Sequence, residues 1–345
     1  MAAATASPKK KTRILSIDGG GIRGIIPGQI LVRVEEKLKE FSGDESSRIA
    51  DYFDLIAGTS TGGILACIYL YPRKRGSKRP HFTAEQAVEL YMDHGDEIFE
   101  LSLWQQIKSG KGVLDEKYSA RNLERELKDK LDDLWLSDLV GPCMVTAYDI
   151  ERRQTKFFIK AGKDEPAEDF RVRDVARSTS AAPTYFEAAM VKARTGTAYA
   201  LVDGGVFANN PTLCAYAEAR KMRGKPTASQ MAILSLGTGH HHKEEPYPYR
   251  KAKDWGLAEW AKPVLSIMMT GVSETVDYQL RKMFDAAGVP SQYLRIDPRL
   301  MKGGPDTAMD NASEENMKKL ASLGREAAQD HDRDLTTFIQ SHLLG

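Results

Sequence analysis

The sequence is poor in cysteine and has almost no net charge. Its three cysteines, Cys67, Cys143 and Cys214, are far apart and form no CxxC pair. That pattern argues against a disulfide framework or a cysteine-bound zinc and favours a reducing compartment. The 49 basic and 48 acidic residues leave a net charge of +1, so the composition does not indicate general nucleic-acid binding.

Long apolar runs are missing as well. A membrane-spanning helix needs roughly 18 or more consecutive apolar residues, and no such run occurs. The first residues, MAAATASPKKKTR, contain no apolar segment of signal-peptide length. We therefore expect a cytoplasmic protein, with residues 1–12 as a disordered tail and residues 13–345 as a single domain that ends in a helical extension.

Short apolar strands alternate with helical patterns along the rest of the chain. We predict strands at 13–17, 52–57, 200–202, 231–236 and 293–296, a hairpin from 144–148 and 155–159, and helices around 30–38, at 64–71, over most of 83–136, at 255–285 and at the polar C-terminus. Several strands are apolar throughout. This alternation predicts an α/β fold with a mostly parallel sheet covered on both faces.

A glycine-rich loop follows the first predicted strand. It reads DGGGIRG from Asp18 to Gly24 and contains G-x-G-x-x-G, which between a strand and a helix is typical of dinucleotide binding. Two observations argue against that interpretation. The charge of Asp18 would repel a pyrophosphate, and the next strand ends in glycine, threonine and serine where an acidic residue is expected.

The same loop suits another anion, the oxyanion of an acyl-transfer intermediate. Backbone N–H groups at a helix N-terminus point towards anions, and glycines allow close approach. The candidate donors are Gly19, Gly20 and Gly21. Arg23 would add positive charge or anchor the loop to a carboxylate.

The second predicted strand runs into GTSTG, a G-x-S-x-G pattern that contains Gly58, Ser60 and Gly62. In a nucleophile elbow the serine lies on a sharp turn between a strand and a helix, and small flanking residues prevent clashes. Ser60 is therefore the candidate nucleophile. The alternative is a glycine-rich turn in which Ser60 only caps the helix.

A serine nucleophile needs a base. None of the seven histidines follows a late strand as a hydrolase triad would require, and we interpret His240, His241 and His242 as a polar surface loop. Asp203 ends a short apolar strand in VDGGVFANNP, and an aspartate packed against the serine hydroxyl can accept its proton. Its alternative role is to cap a turn.

Taken in order, DGGGIRG, GTSTG and DGG resemble the patatin-like phospholipase family. Four further stretches carry the same resemblance over residues 13–240: TAYDIERRQTKFF, ARSTSAAPTYFEAA, LVDGGVFANNP and ILSLGTG. The resemblance implies a three-layer α/β/α fold and a dyad of Ser60 and Asp203 without histidine. It implies an oxyanion hole at Gly19, Gly20 and Gly21, with Arg23 as the basic residue of the loop, and neither a cofactor nor a metal.

The implied activity is that of a lipid acyl hydrolase, which cleaves phospholipids or galactolipids through an acyl-serine intermediate. Four alternatives remain: a general carboxylesterase, an effector phospholipase switched on by a cyclic nucleotide, a non-catalytic storage or defence protein, and a dinucleotide oxidoreductase. The presence of Ser60, Asp203 and the three glycines argues against a non-catalytic role.

Two segments are candidates for peripheral contact with a membrane. Within residues 254–280, an apolar set recurs at helical spacing: Trp255, Trp260, Val264, Ile267 and Met268. We favour an ordinary core helix here over an interfacial segment. The basic loop at 73–79 is either a contact for anionic lipid or merely solvated.

Overall fold

The computed structural model describes residues 11–95, 133–160, 165–222, 224–241, 247–306 and 308–344. Most of the predicted tail and residues 96–132 of the predicted 83–136 helical region lie outside these ranges. The strands are β1 (Thr12–Ile17), β2 (Leu55–Thr59), β3 (Cys143–Asp149), β4 (Gln154–Lys160), β5 (Ala189–Lys192), β6 (Ala198–Asp203), β7 (Met231–Leu236), β8 (His240–His241), β9 (Tyr293–Ile296) and β10 (Arg299–Leu300).

The helices begin with α1 directly after the glycine loop, whose Gly21–Gly24 segment is a 3₁₀ turn. They are α1 (Ile25–Ser42), α2 (Ile49–Tyr52), α3 (Thr61–Tyr69), α4 (Ala84–Gly95), α5 (Val172–Thr179), α6 (Gly205–Ala208), α7 (Thr212–Ala219), α8 (Tyr249–Ala252), α9 (Leu257–Ala286), α10 (Glu314–Asp330) and α11 (Asp332–Phe338).

Parallel strands form the centre of the sheet, in the order β3-β2-β1-β7-β9. Three antiparallel strands complete it: β4 and β6 pair with β3, and β5 pairs with β6. The prediction of a mostly parallel sheet is confirmed, and the predicted hairpin is the β3–β4 pair. β8 and β10 form a separate two-stranded ribbon.

The two edges of β3 are used differently. β4 pairs with the whole strand on one edge. Because a strand has only two edges, β2 and β6 must share the other. In the register, Thr59 lies opposite Thr146, and Asp203 lies opposite the next residue, Ala147. The last residue of β2 and the last residue of β6 are therefore neighbours along one edge.

Helices cover both faces of the sheet, because successive strand residues point to opposite sides. In β1, Leu15 and Ile17 join the core cluster built with α1, α3 and α10, whereas Ile14 joins a second cluster built with α7 and α9. The central strands, such as β2 and β7, are therefore buried on both faces, which explains their continuous apolar sequences. This is the predicted three-layer arrangement.

Several boundaries differ from the predictions. β1 includes Thr12, which the sequence assigns to the tail. The predicted strand at 52–57 begins only at Leu55, because Tyr52 ends the short helix α2, whose Asp51 accepts a hydrogen bond from the Arg48 N–H at 2.9 Å. α3 begins at Thr61, directly after the candidate nucleophile. β5, which reads AMVK, is not among the predicted strands.

The prediction that the apolar set from Trp255 to Met268 belongs to the core is wrong for the four members that lie on α9. Trp260, Val264, Ile267 and Met268 are 38–47 % exposed. The buried face of α9 lies further along the helix and includes Val276, Leu280 and Phe284. Within the described residues, no helix combines the length and the apolar content needed to cross a bilayer.

Replacement of Phe284 tests whether α9 belongs to the folded unit. The ring is fully buried and contacts Tyr216 and Tyr293, with centroids 6.4 and 5.8 Å away. We expect Phe284→Ala to lower the free energy of unfolding by about 3–5 kcal/mol, since it leaves a cavity. Tyr278→Ala on the same helix, where the ring is 64 % exposed, should change it by about 0.5 kcal/mol or less. Equal effects in urea titrations would contradict the packing described here.

Candidate active site

Ser60 occupies a strained turn between β2 and α3. Its φ of 54° and ψ of −124° lie in a region that residues with a Cβ rarely adopt. Its N–H donates to Thr179 Oγ1 at 2.8 Å, and its carbonyl accepts from the Ile64 N–H at 3.0 Å. The Ser60 side chain makes no capping hydrogen bond to α3. Ser60 therefore holds the N-cap position of α3 without capping the helix through its side chain, and the strained turn is the geometry expected of a nucleophile elbow.

Close backbone contacts explain the small residues around Ser60. A Cβ on Gly62 would overlap the carbonyl oxygen of Ile17, and a Cβ on Gly58 would overlap the carbonyl of Gly62. The start of α3 therefore packs directly on the end of β1. This contact brings the serine turn against the glycine loop that follows β1.

Asp203 ends β6 beside the serine turn, as the register on β3 requires. It is 3 % exposed, and its Oδ1 accepts the Gly205 N–H at 2.7 Å. Burial raises the pKa of Asp203 from 3.8 to about 7, although hydrogen bonds from the Ser60 hydroxyl and the Gly205 N–H oppose the rise. The carboxylate thus caps a turn and also faces the serine, with a pKa suited to a base near neutral pH.

The glycine loop borders Ser60, and its three glycines are not equivalent. A Cβ on Gly19 would lie 3.2 Å from Ser60 Cβ. The Gly19 N–H, however, donates to the Asn209 carbonyl at 3.0 Å, so the structure corrects its predicted role as a donor. The N–H groups of Gly20 and Gly21 donate to no partner among the described residues. These two remain available to an anion at the start of the 3₁₀ turn.

Within the described part of the chain, Arg23 anchors the loop to carbonyl groups and to no carboxylate. Its buried guanidinium donates to the Gly20 carbonyl at 3.4 Å and to the Gly239 carbonyl at 3.3 Å. Thr238 supports the same loop from β7, since its hydroxyl donates to the Gly19 carbonyl at 2.8 Å. The turn after β7 therefore holds the glycine loop in position.

A buried ion pair lies behind the loop. Arg295 on β9 contacts both carboxylate oxygens of Asp18, at 2.9 and 2.6 Å, and also Asp297 at 3.1 Å. Burial raises the pKa of Asp18 to about 6, and Arg295 opposes this rise. Asp297 in turn accepts the Gly239 N–H at 2.9 Å. Through these contacts, Asp18 after β1 and Asp297 after β9 are both held by Arg295, and Asp297 also binds the turn after β7.

The histidines do not form the predicted loop. His240 and His241 are the strand β8, paired with Arg299 and Leu300 of β10, and His242 lies outside the described residues. His240 Nδ1 is 3.5 Å from Asp297 Oδ2, and this contact raises its pKa. His240 lines a cavity of about 720 Å³ that also borders Asp18 and Arg23 but not Ser60 or Asp203.

Some supporting residues could not be assigned from the sequence. Thr179 holds the backbone of Ser60 and lies in ARSTSAAPTYFEAA, to which the sequence gives no chemistry. Asn209 lies in VDGGVFANNP, where only Asp203 stands out. The role of Arg295 could be suspected from the sequence only because it is a charged residue inside a predicted short strand, YLRI.

The strained serine and the buried aspartate form the arrangement expected of a hydrolase elbow. Residues 15–216 match the family described as patatin-like phospholipase. Patatin-like protein 2 of Oryza sativa subsp. indica is 34% identical over 350 residues, which cover 93% of this chain and 85% of that protein. The chain belongs to the patatin-like phospholipase family.

Two further comparisons restrict the conclusions that can be drawn from membership of this family. A potato protein (Solanum tuberosum) named probable inactive patatin-3-Kuras 1 is 33% identical over 326 residues, covering 90% of this chain and 84% of that one. Human GIVD cytosolic phospholipase A2 shares the fold at a TM-score of 0.50 and 11% identity, covering 96% of this chain and 60% of that one. Membership of the family supports lipid acyl hydrolase activity. Which residues of this chain carry out that activity must be tested by experiment.

The raised pKa of Asp203 predicts a pH-dependent gain in stability on its replacement. In the unfolded chain Asp203 loses its proton near pH 3.8, whereas in the folded chain it does so near pH 7. Stability is therefore lost as pH rises from about 4 to 7 and stays lost above that range. We expect Asp203→Asn to gain stability over the wild type across this interval, with a constant difference at higher pH.

Urea unfolding at several pH values measures this difference. Asp44→Asn is the control, because Asp44 is exposed and hydrogen bonds from Ser46 lower its pKa. It should show no such gain. A difference between Asp203→Asn and the wild type that does not change from pH 4 to 7 would contradict the raised pKa.

Proposed function

We propose that the chain is a lipid acyl hydrolase of the phospholipase A type that cleaves acyl esters of phospholipids or galactolipids through Ser60 and Asp203. One observation carries the proposal: a serine held at a strained φ of 54° faces a buried carboxylate whose pKa is raised to about 7. Strain of this kind persists where the surrounding structure enforces it, often at functional sites.

In the proposed reaction, Ser60 Oγ attacks the ester carbonyl while Asp203 accepts its proton, directly or through a water molecule. The oxyanion receives hydrogen bonds from the N–H groups of Gly20 and Gly21. Collapse of the intermediate expels the lyso product, to which the proton on Asp203 is transferred. Asp203 then takes a proton from a water molecule, whose oxygen attacks the acyl-serine carbonyl. When the bond to Ser60 Oγ breaks and the fatty acid leaves, Asp203 returns that proton to Ser60 Oγ.

Active-site labelling tests the two catalytic roles. A fluorophosphonate should modify Ser60 in the wild type and not in Ser60→Ala, as read by mass spectrometry of the adduct. Labelling of Asp203→Asn should be at least about 100-fold slower, because the base is lost. Ser180→Ala is the control, since Ser180 is also buried and follows α5. An adduct that persists in Ser60→Ala would refute the assignment.

The pH dependence of ester hydrolysis tests the base separately. Below the pKa of Asp203, near 7, kcat/KM for a short p-nitrophenyl ester should fall about tenfold per pH unit, because only the ionised carboxylate accepts the proton. His240 also lies beside the glycine loop, and its contact with Asp297 raises its pKa. His240→Gln should keep the inflection near pH 7. If His240→Gln loses the inflection near pH 7, the inflection belongs to His240 and not to Asp203.

The alternatives from the sequence are separated by substrate. A preference for short, soluble esters over long-chain lipids would indicate a general carboxylesterase. Activity that requires an added cyclic nucleotide would support the effector alternative, which stays a prediction, as does the cytoplasmic location. Because the proposed substrates reside in lipid assemblies, the chain must also meet a lipid surface.

A further inference from the structure

The first half of α9 exposes an apolar stripe. Trp260, Val264, Ile267 and Met268 are 38, 43, 45 and 47 % exposed. Their spacing places them on one side of the helix. Residues 263–273 contain no charged side chain, whereas residues 274–286 of the same helix contain five. An exposed helix that lacks charge over about three turns is unusual, since exposed helix faces are normally polar.

Folding does not account for this stripe. The core-facing residues of α9, among them Val276, Leu280 and Phe284, already pack in the second cluster. In the first half, the face opposite the stripe points to the active site. Met269 Cε would lie 3.3 Å from a Cβ on Gly205, and the Ser273 hydroxyl accepts a hydrogen bond from Asn209 at 3.1 Å.

The surroundings of the stripe combine aromatic and basic side chains. Tyr247, Trp255 and Trp260 form a chain of edge-on rings with centroids 5.4 and 5.0 Å apart. Tyr249 is 80 % exposed. The exposed basic residues are Arg250 and Lys251 on α8 and Lys253 after it.

Among the residues that the structure describes, two acidic residues lie in the same region, and both have partners. Asp254 is 3.7 Å from Lys253, and the Glu259 carboxylate accepts the Gly256 N–H at 3.1 Å. Apolar residues with tryptophan and tyrosine, surrounded by basic residues, are typical of surfaces that enter the headgroup region of a bilayer. The excess of basic residues complements anionic lipid.

We propose that this surface, formed by Trp260, Val264, Ile267 and Met268 and preceded in the chain by the basic residues of α8, docks the protein on an anionic lipid surface. The proposal rests on the proposed function and adds where the lipid is met. The docking surface and the residues that contact Gly205 and Asn209 are opposite faces of one helix. Because a helix is roughly 10–12 Å across, docking brings the bilayer within about one helix diameter of Ser60 and Asp203.

Vesicle cosedimentation of the full chain tests the proposal. The wild type should bind vesicles of phosphatidylcholine and phosphatidylglycerol (7:3) more strongly than vesicles of phosphatidylcholine alone. The double variant Ile267→Glu with Met268→Glu should bind the mixed vesicles at least about tenfold more weakly, because two apolar side chains no longer enter the interface. Met190→Glu is the matched control, since Met190 is 64 % exposed on β5, and its binding should stay within about twofold.

A second variant tests the same surface without altering α9. Arg250→Glu with Lys251→Glu should weaken binding to the mixed vesicles about tenfold or more and change binding to neutral vesicles little. If the α9 double variant proves unstable in an unfolding measurement, the Arg250→Glu, Lys251→Glu variant alone tests the docking surface. Charge reversal at Lys74 and Arg79 in the basic loop should have little effect. A loss confined to that loop would overturn the proposal.

Two other results would also overturn it: unchanged binding of both double variants, or a wild-type dimer that the α9 variant dissociates without any effect on vesicles. Ser60→Ala keeps this test separate from the chemistry, because it should bind vesicles as the wild type does. Vesicle binding without fluorophosphonate labelling would refute the proposed function and leave the docking surface standing. Conversely, fluorophosphonate labelling of Ser60 together with vesicle binding that the surface variants leave unchanged would support the proposed function and refute the docking surface.

Discussion

The site depends on the shared edge of β3. Because β4 occupies one edge completely, β2 and β6 pair with the other edge from opposite directions, and their last residues become neighbours. Ser60 and Asp203 are thus brought together by backbone hydrogen bonds of the sheet. Their approach needs no third side chain to orient the base, which a histidine in a triad requires. A strand of only six residues, β6, therefore places the proposed catalytic base beside the serine by its register alone.

The second requirement is a rigid glycine loop. Free N–H groups stabilise an oxyanion only if they are held in place before the reaction. Here the loop is fixed from three sides: by the Asn209 carbonyl, by Thr238, and by Arg23 on Gly239. The buried pair of Asp18 and Arg295 adds a fourth constraint. Such a pair is sensitive to loss of either partner, because the remaining charge would be buried without compensation.

Local signals made much of the fold and the centre of the site predictable. The apolar strands, the loop at Asp18–Gly24 and the turn at Ser60 each follow from neighbouring residues. Contacts between distant segments were not accessible in this way. The Gly19 N–H is engaged by Asn209, and His240 becomes a strand only because it pairs with Arg299. In α9 the periodicity showed which residues share a face, but only packing decides which face is buried.

The backbone at Ser60 has a consequence for how such a protein changes under selection. Its conformation costs of the order of 1–3 kcal/mol for any residue with a Cβ, and glycine would adopt it without that cost. Ser60→Gly would thus increase stability while it removes the proposed nucleophile. A library screened for heat resistance alone would enrich that substitution, so stability and catalysis are opposed at this single position.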